Sequence, residues 1–482
     1  SGTFSTTGQI TFDGVTQSMN GGTFYNISFS GSGTKTVFGS LNVNNDFSIS
    51  SNVTVNAGSF SINVTGNWSK ATSGVFQNSG GTVTFNGASQ NISASSFGNV
   101  VFAGTGIKTA TGALVVNGNL TINANSTFKA GAFVDSVSGN WSNNGAFDSA
   151  SSLIVFNGSS AQSISASGFN HIEFVGSGVK TATGILKVAG DIIINSGSSF
   201  TGGNLTHLLG GNWTNNGLYV AGTGTLHFTK NGAAVFYGNT AVNNLIISSV
   251  TTLNVDTTNI ITLAGTLTES GYLSGKILKS ETITQTGVQY NFGGIGATVS
   301  LAGSVPDILT IISYRKLIPV GFASNQAVQR YYSITKSSTS TATIGLKYNE
   351  TKELNGQTES SLKMWRSTNS CTSWSREASS SVVAGSDSLS LTASIGTSSL
   401  FGISSTSTKT LVVASGDWNE VTSWSPSGIP ISSDSVYIGA GKTAVINGSD
   451  SVNCAGINIE GTLSFANDGK LNVFGAWSNA SG

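Results

Sequence analysis

Cleaving a uronate polymer takes a strong base, usually Lys or Arg, beside carboxylates that hold calcium or pass protons. Residues 1–275 offer eight acids: Asp13, Asp46, Asp135, Asp148, Glu173, Asp191, Asp256 and Glu269. No two of them lie two or three positions apart, and the same stretch contains seven Lys and no Arg. Stacked coils can unite distant residues, but so sparse a set makes catalysis the least favoured reading, and no enzyme is expected. His171, His207 and His227 lack ligand spacing and read as surface or strand positions. Gly-x-Gly-x-Lys-Thr occurs at Gly31–Thr36, Gly104–Thr109 and Gly176–Thr181. It lacks the four-residue gap and the following helix of a phosphate loop, so no cofactor is expected. Its lysines, Lys35, Lys108 and Lys180, read as a solvated row along one edge that discourages lateral aggregation. Cys371 and Cys454 are the only cysteines, too few for a disulfide scaffold or a metal site. They admit two readings: a disulfide across the sandwich–solenoid junction in an oxidising compartment, or two separately buried thiols.

The elements that must position these residues are strands. Only 9% of the residues are charged and Gly numbers 62, yet 38% are hydrophobic and 25 are Phe. Small polar residues alternating with Val, Ile, Leu and Phe describe short strands joined by tight turns rather than disorder. The formal charge of zero removes the electrostatic case for nucleic acid or an anionic membrane. No stretch of about 18 apolar residues is present to span a bilayer. Opening on Ser1-Gly2, without Met or a signal peptide, the chain reads as processed or as part of a longer protein.

A long internal period organises the segment 1–275. Gly-Asn-Trp recurs at Gly66-Asn67-Trp68, Gly139-Asn140-Trp141 and Gly211-Asn212-Trp213, steps of 73 and 72. Apolar strands end at Phe12, Phe85, Phe156 and Phe228 in the same phase, as does the Gly-x-Gly-x-Lys-Thr signature. Three coils of about 24 residues per unit would suit a right-handed parallel β-helix, with Trp68, Trp141 and Trp213 stacked on one wall. The other use of these tryptophans would be as a sugar-binding platform. Residues 1–305 contain no Pro, which fits strands whose N–H groups all serve a ladder.

Between 276 and 405 lie 11 of the 21 basic residues and longer alternating strands. These are Ile308–Ser313, Ala327–Ile334, Thr341–Tyr348, Ser361–Arg366, Ser388–Ala393 and Ser399–Ser404, a pattern that predicts an immunoglobulin-like β-sandwich. The run Arg330-Tyr331-Tyr332-Ser333-Ile334, with Leu346–Tyr348, Glu353–Gly356, Leu362–Trp365 and Trp374, resembles sandwich modules in large secreted repeat proteins of gliding-type bacteria. Ser415–Trp418, Thr422–Trp424, Pro430, Asp434–Ile438 and Cys454–Leu463 resemble the start of a β-helix in the same proteins. The resemblance implies an exported adhesin or surface fibre, with type IX-like export and an extracellular or cell-surface location. It also implies O-glycans at Asp-Ser/Thr positions, here Ser136, Ser149, Thr257, Ser388, Ser435 and Ser451.

Three segments are therefore expected: a β-helix over 1–275, a sandwich over 276–405, and the start of a second β-helix over 406–482. Gly475-Ala476-Trp477 is a variant of the Gly-Asn-Trp triplet. Joined to a following copy, Trp477 lies 482 + 68 − 477 = 73 positions before the next Trp68, the internal step again. The expected function is a structural module assembling end to end with copies of itself, covalently or by subunit stacking. The alternative is an adhesin binding glycans or other cells, and a polysaccharide lyase or hydrolase is a distant third.

Overall fold

The computed structural model describes residues 7–303, 305–383, 385–432 and 434–479. The expected junction of residue 482 with residue 1 therefore falls outside the described residues. The chain forms two compact units, one running to Asn259 with Thr268–Tyr272, the other holding Ile260–Leu267 and Leu273 onward. Among the described residues no helix is long and apolar enough to cross a membrane.

The first unit is a β-solenoid. Strands of three to six residues follow one another round a coil, and most pair in parallel with the strand three places further along the chain; the strands Val75–Gln77, Ala146–Asp148 and Leu218–Val220, one per repeat, each end a sheet instead. Alternation drives this: in Thr82–Phe85 the side chains read outward and inward by turns, with Val83 and Phe85 buried. The inward positions stack coil upon coil. Aromatic columns start at the repeat phenylalanines, as in Phe85–Phe102–Phe128, with ring centroids 5.9 and 4.3 Å apart, and Phe156–Phe174–Phe200, at 5.9 and 4.4 Å.

Coil length varies with the turns. Phe12 pairs with Phe29, a step of 17, and Trp68 pairs with Ile92, a step of 24. The strands ending at Phe12, Phe85, Phe156 and Phe228 are the first, twelfth, twenty-third and thirty-fourth described, so each repeat advances eleven strands. At three strands per coil, that is 11/3, or three and two-thirds coils, rather than three. Equivalent residues thus move by one wall at every repeat. Trp68, Trp141 and Trp213 accordingly lie in three different sheets, not on one wall.

In the second unit the parallel pairing gives way within one strand. Tyr272–Ile283 pairs in parallel with Ile261–Leu263 and antiparallel with Asp307–Arg315. The expected boundary at 275 falls inside it. Two antiparallel sheets follow: one continues through Arg330–Thr335, Ser398–Ser404 and Lys363–Ser367. The other joins Ala297–Leu301, Ser340–Lys347 and Ser388–Ile395. Arg330 is buried against Glu353 at 2.8 Å, and Glu353 also accepts the Asn349 backbone N–H. From Thr408 the pairing is parallel again, through Ser435–Ile438, Gly456–Ile459 and Trp477–Asn479.

Close coil contact explains the first residue of the triplet. A Cβ on Gly139 would lie 2.6 Å from Asn119 Oδ1 and collide with the Gly118 backbone. Gly139→Ala should therefore lower stability by about 2–3 kcal/mol, whereas Gly168→Ala, with open space around it, should stay within about 0.5 kcal/mol. Chemical denaturation of the two variants checks this; equal losses would refute the close-contact explanation.

Candidate functional site: a polar cluster repeated at every unit

The residues that recur in phase meet in one hydrogen-bonded cluster per repeat. The Asn of each triplet works on both of its neighbouring coils. Asn67, Asn140 and Asn212 donate their backbone N–H to Asp46, Asn119 and Asp191 of the preceding coil at 2.7–2.8 Å. Their side-chain oxygens accept from the N–H of Asn91, Ser163 and Val235 of the following coil. The result is one short run of side-chain bonds per repeat, each at its own corner between walls.

Each Trp opens the next strand and is buried, with ring stacking in the first (Trp68 on Phe47, 4.1 Å) and edge contacts in the second (Trp141 with Phe147, 4.8 Å). The indole N–H of Trp68 donates to Ser95 and that of Trp141 to Ser167. None of the three is open to a sugar. Trp477 differs, standing 54% exposed at the last described strand.

Sequence reasoning overlooked the cluster's centre. Gln17, Gln90 and Gln162 keep the repeat step and are register partners of Lys35, Lys108 and Lys180. Gln90 Oε1 accepts the Gly87 N–H while its Nε2 donates to the carbonyls of Val64 and Gly66. Gln162 does the same with Gly158, Val137 and Gly139. Gln90 and Gln162 thus tie Gly87 and Gly158, two places after a repeat Phe, to the Gly-Asn-Trp triplet one coil earlier.

The lysines correct the expectation of a solvated row. Lys35, Lys108 and Lys180 are buried, at 1%, 0% and 0% exposure, and lie in three different sheets. Lys180 Nζ donates to the carbonyls of Gly158 and Gly176, Lys35 to those of Gly14 and Ser32, and Lys108 to that of Thr105. Burial pulls the Lys108 and Lys180 ammonium groups below the usual lysine range. These cations face backbone carbonyls at the Gly-x-Gly turns rather than solvent.

Two further buried ionisable groups are repeat equivalents, since 207 − 135 = 72. Asp135 Oδ1 accepts the Leu114 N–H at 2.7 Å, and His207 Nδ1 accepts the Leu186 N–H at 3.2 Å. His207 Nε2 lies 2.9 Å from the Gly202 carbonyl, so the neutral ring protonated at Nε2 satisfies both contacts. Burial lowers the His207 pKa. Asp135 Oδ2 finds no partner among the described residues.

The remaining candidates do not converge. Of the acids, Asp46 and Asp191 serve these side-chain runs, Lys129 meets Asp148 at 4.0 Å on the surface, and Glu173 accepts from Asn195. His171 Nδ1 accepts the Asp191 N–H, and His227 contacts Ser248. Cys371 and Cys454 are both free thiols, so the disulfide reading is set aside; Cys454 is wholly buried. Thr257 and Ser451 are exposed. Ser136, Ser149 and Ser435 are half-buried. Ser388 is buried, its hydroxyl bonded to that of Ser386, which withdraws it as a modification site. Glu350, Glu359 and Asp387 bring carboxylate oxygens within 4.8 Å of one another on the second unit, a group that sequence reading missed. Tyr348 donates to Glu359 there.

No protein-family model, no curated protein and no solved structure matches this chain.

Burial pushes the Asp135 carboxyl up to about 6, against the Leu114 bond that favours the charged form. The folded chain therefore holds a proton that the unfolded chain releases above its ordinary value of 3.8. That contribution to stability is present below 3.8 and is lost as pH rises to about 6. Asp135→Asn should leave stability unchanged at pH 3.5 and raise it by roughly 2–3 kcal/mol at pH 8. Denaturant titrations at the two pH values check this; a variant equally or less stable at pH 8 would refute it.

Proposed function

We propose that the chain is a structural repeat module of an extracellular fibre, filament or surface stalk that assembles end to end. In this reading the coils are those of a right-handed parallel β-helix, the antiparallel sheets form an immunoglobulin-like sandwich, and a second β-helix starts near 406. One observation carries it: the in-phase residues that could do chemistry are spent on joining coils. Gln90 and Gln162 use both ends of their side-chain amides on backbone groups. Lys35 and Lys180 each cap two carbonyls. A protein that commits its recurrent polar residues to axial continuity is built for length and stiffness. The resemblance to secreted repeat proteins supports an extracellular location and export by a type IX-like route.

A cleft of about 600 Å³ in the second unit, lined by Phe322, Cys371 and Trp424 with exposed Val320 at its edge, favours an adhesin as the second reading. Electron microscopy of native material separates the two readings. Filaments with a regular axial repeat are expected; discrete particles that bind saturably on a glycan array would favour the adhesin. The mass of the denatured native protein then decides between subunits near 49.1 kDa and one much larger tandem chain.

A further inference from the structure

The internal repeats specify, atom by atom, how one copy would receive the next. At the first two internal boundaries, the glutamine that follows the repeat Phe reaches back to two carbonyls at and just before the preceding triplet; at the third, Ala234 holds the glutamine's place. The two carbonyls belong to the residues four and two places before the Trp: Val64 and Gly66 for Trp68, Val137 and Gly139 for Trp141. The residue two places after the glutamine then covers the Trp, as the pairs Trp68–Ile92 and Trp141–Ile164 show.

Both halves of this boundary occur unmatched among the described residues. Gln17 accepts the Gly14 N–H as its equivalents accept theirs, but its Nε2 makes no bond to a preceding triplet there. Met19 is only half-buried, whereas its equivalents Ile92 and Ile164 are fully buried. At the other end of the chain, Val473, Gly475 and Trp477 hold the three positions, four and two places before the Trp and the Trp itself, that a glutamine and an apolar residue would engage. Trp477 is 54% and Phe474 68% exposed, against 0–1% for Trp68, Trp141 and Trp213. The strand Gln9–Phe12 has a described partner on one side only, Asn26–Phe29. Gly22 stands where Ser95 and Ser167 accept the indole N–H, so the Trp477 indole would be left like that of Trp213, buried without a bond among the described residues.

We infer that the partner of this open surface is a second copy of the chain, in one register: Gln17 Nε2 of one copy donates to the Val473 and Gly475 carbonyls of the copy before it, and Met19 covers that copy's Trp477. The inference rests on the end-to-end reading and fixes its interface. Ser18 and Ala476 take the places of Asn91 and Asn67, which are hydrogen-bonded neighbours on adjacent coils, and both are exposed. Side chains on adjacent coils at such positions are within disulfide reach.

The test uses the 482-residue protein carrying Ser18→Cys and Ala476→Cys, oxidised at high concentration, with cross-linked peptides identified by mass spectrometry. A reducible ladder of multimers linked from residue 18 to residue 476 is expected. Multimers linked 18 to 18, or 476 to 476, would overturn the register and leave end-to-end assembly standing. A protein that sediments as a monomer throughout would overturn the proposed contact and assembly by subunit stacking. Gln17→Glu keeps the acceptor for Gly14 but turns a carboxylate on the two carbonyls. It should weaken association at least tenfold by sedimentation, and unchanged association would overturn the proposed contact.

Discussion

A parallel ladder lets each coil pair its backbone only with the coils above and below it, so every corner between walls must find partners of its own. That constraint governs this chain. Along the walls, alternating residues supply strands and an aromatic interior. At the corners the strand pattern lapses, and side chains take over the bonding: Asn67 toward Asn91, Gln90 toward Val64 and Gly66, Lys180 toward Gly158 and Gly176. A buried polar group left unpaired costs about 1–3 kcal/mol, so each of these residues protects the fold against a loss larger than its own net contribution.

The same constraint explains why charge lies inside a protein with so little of it. A buried ammonium is costly, yet it offers three donors on a flexible stem and can serve carbonyls of turns on two adjacent coils at once. The downward shift at Lys108 and Lys180 records the desolvation that this placement costs. Asp135 is the exception: one oxygen is used and the other is buried without a partner among the described residues, which is why its proton is held so tightly.

Much of this was legible in the sequence. The period, the strand character and the positions of the longer strands in the second unit followed from alternation and spacing. The wall assignment did not, because the turns lengthen some coils and shorten others. The coil from Trp68 to Ile92 is longer than the one from Phe12 to Phe29, and a repeat step need not equal whole coils. The buried lysines were misplaced for a different reason. Alternation already put Lys35 on the face of Val37, and Lys108 on the face of Ala110. The preference of lysine for water outweighed that pattern, although the glycines beside it expose carbonyls that a lysine can satisfy. The glutamines kept the same step as the landmarks but carry no charge or ring to draw the eye. What sequence could not supply was the tertiary fact that Gln90 reaches back across a whole coil to the triplet at Gly66.

The central claim is that the unit of this solenoid is the repeat of eleven strands, not the coil. Removing Phe85–Val155, one full repeat, joins Thr84 to Phe156 and lets Gln162 take over the Val64 and Gly66 carbonyls. Removing Phe85–Ser142 instead takes out three whole coils, since Phe85 stacks through Phe102 and Ile122 to Asn143, but it deletes the Val137 and Gly139 carbonyls that Gln162 caps and leaves the Val64 and Gly66 carbonyls without a glutamine in step. Thermal unfolding of the two deletion proteins is the most direct test. The full-repeat deletion should melt cooperatively within a few degrees of the intact protein, and the whole-coil deletion well below it. Equal melting temperatures, or a whole-coil deletion more stable than the full-repeat one, would contradict the account.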